Sequence, residues 1–175
     1  MKTLKQHIFE KLKVSKNPYT LFPKTTDELK RMVADEILKY GNECSLNHIN
    51  VSKITDMSSL FFNTTFNGDI SDWDVSNVTN MHAMFAFSEF NGDISSWNVS
   101  NVKNMKGMFK DCEYFNCDLS NWNVNNVKYM QFMFDNCTDF EGKGLDKWDV
   151  SNVKDMNVMF EYCFNLKNKP SWYKY

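Results

Sequence analysis

Five cysteines, eleven methionines and several aligned carboxylates are the residues of this 175-residue sequence that could do chemistry. Many of them recur at fixed intervals. Met57, Met81, Met105, Met130 and Met156 share one position of a recurring pattern, and Met84, Met108, Met133 and Met159 share another. Thioethers in such columns could ligate a soft metal or a haem iron, but they are also what an adaptable core filler looks like, and the core reading is preferred. Cys112, Cys137 and Cys163 each follow a phenylalanine by three residues, and Ser88 fills the same column. A stack of buried free thiols is therefore expected rather than a disulfide. Zinc needs ligands paired at short spacing; Cys112-x4-Cys117 has no such partner and the three histidines are scattered. The columns Asn50/Asp74/Asn98/Asn123/Asp149 and Asp69/Asp93/Asp118 could hold calcium. The first, however, is half amide, and the second lies in a turn where Asp bonds backbone, so ladders and turns are expected. Asn77, Asn101, Asn126 and Asn152 should likewise bond backbone. Sequons at Asn50, Asn77, Asn98 and Asn136 are by-products of the repeat. No Ser/His/Asp, Cys/His or phosphate-loop arrangement is present. The sequence predicts no enzyme, no catalytic residue, no metal and no cofactor.

The element that must position these columns is the stretch Phe66 to Phe85, FNGDISDWDVSNVTNMHAMF. It returns from Phe90 to Phe109 and, more loosely, from Phe115 to Phe134 and from Phe140 to Phe160; a partial copy runs from Leu46 to Phe61. Val51, Val75, Val99, Val124 and Val150 hold one place, at intervals of 24, 24, 25 and 26 residues. A fixed period of this size predicts a solenoid in which each copy covers its neighbour's apolar face. Within a copy, Ile70-x-x-Trp73-x-Val75 matches the leucine-rich-repeat strand pattern, and the period-two alternation across Asp74 supports a strand. Val78, Met81, Met84 and Phe85 suit a helical turn or two on the returning side. The expected fold is an α/β solenoid, leucine-rich-repeat-like, of about five coils of 24–26 residues. Its short parallel sheet would come from residues near 48–51, 72–75, 96–99, 121–124 and 147–150, with Trp73, Trp97, Trp122 and Trp148 buried.

Residues 1–45 do not repeat and are expected to form a helical cap, ahead of the solenoid at 46–168 and a tail at 169–175. Leu4, Ile8, Phe9 and Leu12 predict a helix from Lys2 to about Val14. Thr25 or Thr26 can cap a second helix with apolar residues Leu29, Met32, Val33, Ile37 and Leu38, stopping at Tyr40 before Gly41. The net charge of −2, with 42% hydrophobic residues, excludes a disordered chain and bulk polyanion binding. An odd number of cysteines excludes a complete disulfide framework. No apolar run approaches a membrane span, and no h-region follows the basic N-terminus. No nucleic acid partner and no membrane span are expected; oligomeric state is left open.

The run Asp-Ile-Ser-x-Trp-Asp/Asn-Val-Ser-Asn-Val-x-x-Met-x-x-Met-Phe resembles the BspA-type leucine-rich-repeat proteins, in particular the branch first noted as a repeated domain of unknown function in Mycoplasma lipoproteins. Leu46 to Phe61 and the Lys24 to Gly41 helix resemble that branch too, so the likeness covers about residues 24–168. It implies a right-handed leucine-rich-repeat-like fold, a role in protein binding and no catalytic residue. Many relatives sit at the surface of bacteria or protists; others belong to phages or large viruses. With no signal peptide in the sequence, a cytoplasmic or virion-associated setting is expected, with the cell surface as the alternative. The expected function is a non-enzymatic protein-binding module; the alternatives are a structural component of a virion or surface layer, and an adhesion or carbohydrate-binding protein. The candidate contact residues are Tyr129, Phe132, Tyr162 and Phe87, which replace small or polar residues of other copies, and the column Lys103, Lys128 and Lys154. The lysines favour an acidic rim on another protein. The alternative for the rings is packing against Trp172, Tyr173 and Tyr175 at the C-terminus.

Overall fold

The computed structural model describes residues 18–174. The helix expected over Lys2 to Val14 lies outside them. Helix α1 spans Thr26–Tyr40. Thr25 caps it, its hydroxyl accepting the Glu28 N–H at 3.2 Å, while the Lys24 N–H donates to the Glu28 carboxylate at 2.7 Å. These contacts satisfy donors that the first turn leaves unpaired. Gly41 ends α1 with φ 88°, and its N–H returns to the Ile37 carbonyl. Leu29 and Val33 are buried, whereas Leu38, expected on the apolar face, is 88% exposed. The Thr26 hydroxyl ties the start of α1 to the Asp56 carbonyl at 2.8 Å.

The expected α/β solenoid with its short parallel sheet is not what the chain forms. Apart from α1 and a 3-10 turn at Leu145–Lys147, the described residues make turns and isolated parallel bridges. No sheet runs through residues 72–75, 96–99, 121–124 or 147–150; near 48–51 only Ile49 bridges, and it does so to Leu21. Competition for backbone donors explains this. In the first full copy, the N–H groups of Ser71 and Ser76 go to the Asp69 and Asp74 side chains, and those of Trp73 and Val78 to the Ile70 and Val75 carbonyls. Donors spent within the copy cannot build a ladder. The alternation that reads as a strand is a run of turns with the same inward residues.

The expected helical return is not helical either. Alternate N–H groups go forward to the next copy, and others such as Met84 and Met108 go back three residues to Met81 and Met105, in place of the helical bond back four. Met57, Ser59, Phe61 and Asn63 donate to the carbonyls of Asn80, His82, Met84 and Ala86 at 2.8–2.9 Å. The same four places donate forward from 81–87, 105–111 and 130–136, at distances up to 3.1 Å. Bridges Asp56↔Asn80, Asn80↔Asn104, Asn104↔Tyr129 and Tyr129↔Asp155 lie along this ridge.

Inside, the copies meet through rings. Phe61, Phe85, Phe109, Phe134 and Phe160 stack at 5.4–5.7 Å with planes within 6°. Trp73, Trp97, Trp122 and Trp148 are buried, at most 5% exposed, and each indole N–H donates to a carbonyl of the preceding copy: Leu46, Ile70, Ile94 and Leu119. Trp172, assigned to a tail by the sequence reading, continues this column. It stacks on Trp148 at 6.3 Å and donates to Leu145 at 2.9 Å.

Candidate interaction surface

The ridge is built from turns, and turn chemistry decides what it displays. Asp56, Asn80, Asn104 and Asp155 each accept, through the side chain, the N–H two residues on: Ser58, His82, Lys106 and Asn157, at 2.7–3.1 Å. Tyr129 holds the same place in the third full copy and cannot make this bond, since a phenol has no acceptor at that reach. Its ring is 42% exposed.

Two places per copy adopt left-handed φ. One is Ser59, Ala83, Gly107, Phe132 and Val158, at 51–59°; the other is Asn63, Phe87, Asp111, Asn136 and Tyr162, at 53–60°. Gly, Asn and Asp accept this conformation readily, and bulky residues do so at a cost of about 1 kcal/mol or more each. Phe87 and Tyr162 are therefore strained where three other copies carry Asn or Asp, and Phe132 where the preceding copy carries Gly107; Val158 bears the same strain in the last copy. Phe87 and Tyr162 are also solvent-exposed, so burial does not offset the strain.

The structure brings some of the expected residues together and separates others. Lys103, Lys128 and Lys154 stand on successive rungs: the Lys128 N–H donates to the Lys103 carbonyl and the Lys154 N–H to Lys128, both at 2.8 Å. Among the described residues no ion pair engages any of the three. Tyr129 follows Lys128 directly and bridges Asn104 and Asp155, so ring and lysines share one strip. The other aromatic residues lie in separate pairs. Phe87 meets Phe62 edge-on at 5.4 Å, the Lys110 ammonium sits 5.4 Å from the Phe132 ring, and Tyr162 meets Phe164 at 6.3 Å. Trp172 and Tyr173 pack on Trp148 and Phe160 at the end of the core.

Phe62, Lys110 and Phe164 were missed by the sequence reading. Lys110 is held by the Asp135 carboxylate of the next copy and lies 3.5 Å from Asp111, while the Asn136 amide donates to Asp111 at 2.9 Å. The hydrogen bond to Asp135, only 6% exposed, raises the Lys110 pKa. The column Phe62/Ala86/Lys110/Asp135/Glu161 puts opposite charges in neighbouring copies, which is the signal that could have found the pair.

The residues suited to chemistry are occupied in structural bonds. Asp69, Asp93 and Asp118 accept the N–H groups of Ser71, Ser95 and Ser120 at 2.8–3.0 Å, and hydrogen bonds from these serines lower the pKa of all three. Asn77, Asn101, Asn126 and Asn152 donate to carbonyls of the preceding copy at 2.7–2.9 Å. All five cysteines are free; Cys112, Cys137 and Cys163 donate to the carbonyls of Phe90, Phe109 and Phe134. Burial pushes the Cys112 and Cys163 thiols up to about 12. A cleft beside α1 gathers Cys44, His48 and Glu36, with His48 and Glu36 2.9 Å apart. Burial raises the Cys44 pKa, the wrong direction for a nucleophile, which must be a thiolate. Among the described residues no three His, Cys, Asp or Glu side chains gather as metal ligands, and no helix is long and apolar enough to cross a membrane.

No curated protein and no solved structure matches this chain. One protein family does, in two overlapping registers as a repeat allows, over residues 27–143 and 86–173. From the start of α1 through the last indole of the tryptophan column, the chain belongs to that family, described as Mycoplasma protein of unknown function, DUF285.

Proposed function

We propose that this chain is a non-enzymatic protein-binding module whose contact surface is the ridge around Tyr129 and Phe132, flanked by Lys103, Lys128 and Lys154. One observation carries the reading: aromatic side chains occupy ridge positions where they relieve no strain and fill no core. Phe132 takes a left-handed φ of 58° where the preceding copy has Gly107, and Tyr129 abandons a side-chain cap made in four other copies. Residues that cost stability and remain accessible are selected for contact rather than folding. The unpaired lysine strip gives the partner its chemistry, an apolar pocket with an acidic rim. Kinship with the BspA-type branch is part of this reading and rests on the repeat motif. The buried free thiols favour a reducing compartment.

Replacing Tyr129 by Asn and Phe132 by Gly, their equivalents in the second full copy, tests the site. The double variant should fold with unchanged or slightly higher stability and lose capture of the host protein that the parent chain enriches. Full retention of that protein would remove the ridge as the contact. Replacing Lys103, Lys128 and Lys154 by Gln should flatten the salt dependence of the same capture.

A further inference from the structure

The forward ladder leaves an unmatched row at each end. In the last ridge, the N–H groups of Met156, Val158, Phe160 and Tyr162 occupy the four donor places, and among the described residues nothing accepts from them. In the opening ridge, the carbonyls of Asp56, Ser58, Leu60 and Phe62 occupy the four acceptor places. Asp56 is taken by the Thr26 hydroxyl; among the described residues nothing donates to the other three. The apolar interior is covered at both ends: Leu29 and Val33 of α1 join the core near the opening copy, and Trp172 and Tyr173 lie against Phe160. Among the described residues, unmatched backbone groups rather than apolar surface therefore remain at the two outer ridges, with the Tyr173 hydroxyl accepting the Met159 N–H at 3.3 Å beside the last donor row.

We propose that the two rows recognise each other between molecules, so that the partner of the last ridge is the opening ridge of a second copy of this chain. Four junctions inside the molecule already show the fit: alternate N–H groups of one ridge meet alternate carbonyls of the next at 2.8–3.1 Å. A donor row cannot pair with another donor row, so the contact is head-to-tail and not two-fold symmetric. It therefore yields open chains or a ring. Val158, Phe160 and Tyr162 donate to Ser58, Leu60 and Phe62 of the next molecule. Glu161 then stands one rung from Phe62, in the column where Lys110 and Asp135 form their ion pair. With few hydrogen bonds and little apolar burial, the association is weak and appears at high concentration.

The column supplies a test with opposite signs. Sedimentation velocity of the full chain from about 10 µM to about 1 mM should show the average sedimentation coefficient rising. Amide exchange at Val158, Phe160 and Tyr162 should slow over the same range. Phe62→Arg sets a guanidinium against Glu161 and should lower the concentration of half-association about two- to fivefold. Adding Glu161→Arg sets like charges together and should abolish association, with circular dichroism unchanged in both variants. A parent chain that stays monomeric, with concentration-independent exchange at those three amides, overturns the proposal. Equal association of the single and double variants places the contact elsewhere and overturns it as well. Neither result touches the Tyr129 site, which is tested separately.

Discussion

At the scale of single residues, the thiols show how burial sets chemistry. Cys112 and Cys137 are fully buried and donate to carbonyls, so the neutral form is the one the fold accommodates. Their pKa values are raised, that of Cys112 to about 12 from an ordinary 9.0, with burial the main cause. A raised value in the folded state means that the neutral thiol's contribution is fully present below pH 9 and is lost as pH rises towards the folded value. Stability should therefore fall across about pH 9 to 12, and Cys112→Ser should flatten that fall. Urea titrations at several pH values check it; an identical alkaline slope in the variant would refute it. In the native protein, iodoacetamide should reach Cys44 and Cys117, which are partly exposed, well before Cys112 or Cys137.

At the scale of elements, the copies are joined by side-chain bonds to backbone as much as by the ridge ladder. The indole N–H of Trp97 satisfies the Ile70 carbonyl at 3.1 Å, and the Asn101 amide satisfies Ser76 at 2.7 Å. Trp97→Phe keeps a ring against Trp73, 6.5 Å away, but removes one of the two donors of the Ile70 carbonyl, which retains the Trp73 N–H at 3.2 Å. The expected cost is about 0.5–1.5 kcal/mol, read as a lower urea midpoint at unchanged slope. The tryptophan column was legible as a buried column, because its period and neighbours left no other place for large apolar side chains. Its indole bonds were not, since they depend on which carbonyl the preceding copy presents. Nor was Trp172: Lys167 to Ser171 breaks the motif, and only the stack on Trp148 shows that the column continues.

For the molecule as a whole, a set of aspartate turns makes stability sensitive to acid. The pKa values of Asp69, Asp93 and Asp118 lie below the ordinary 3.8, held down by hydrogen bonds from Ser71, Ser95 and Ser120. A lowered folded value means that the stabilisation is present above pH 3.8 and disappears as pH falls through the lowered values. Thermal unfolding should thus keep a constant midpoint from neutral pH to about 5, then drop on further acidification. Asp93→Asn keeps an acceptor for the Ser95 N–H and should shrink that drop. An acid limb unchanged in Asp93→Asn would show that the turn carboxylates do not set it.

The sequence by itself determined which residues face inward and which copies are neighbours. A 24–26-residue period with Phe, Met, Trp and Val at fixed places leaves one way to bury them all, and the structure buries nearly all of them. It also determined α1, with its stop at Gly41 and its cap at Thr25 or Thr26, because caps and spacing are local; the structure uses Thr25. It did not determine the backbone that carries the inward residues. A strand, a helical turn and a chain of left-handed turns can all present Trp73 and Val75, or Met81 and Phe85, to one side. The choice rests on where each N–H finds its acceptor, and that acceptor lies in the same turn for Trp73 but in the next copy for Phe85. The sequence also singled out Tyr129, Phe132 and the lysine column as departures from the repeat. Only the tertiary structure showed that Phe132 stands in a left-handed turn beside Lys110 and that Phe87 pairs with Phe62, because those contacts join residues about 22 to 25 positions apart through the stacking of one copy on the next.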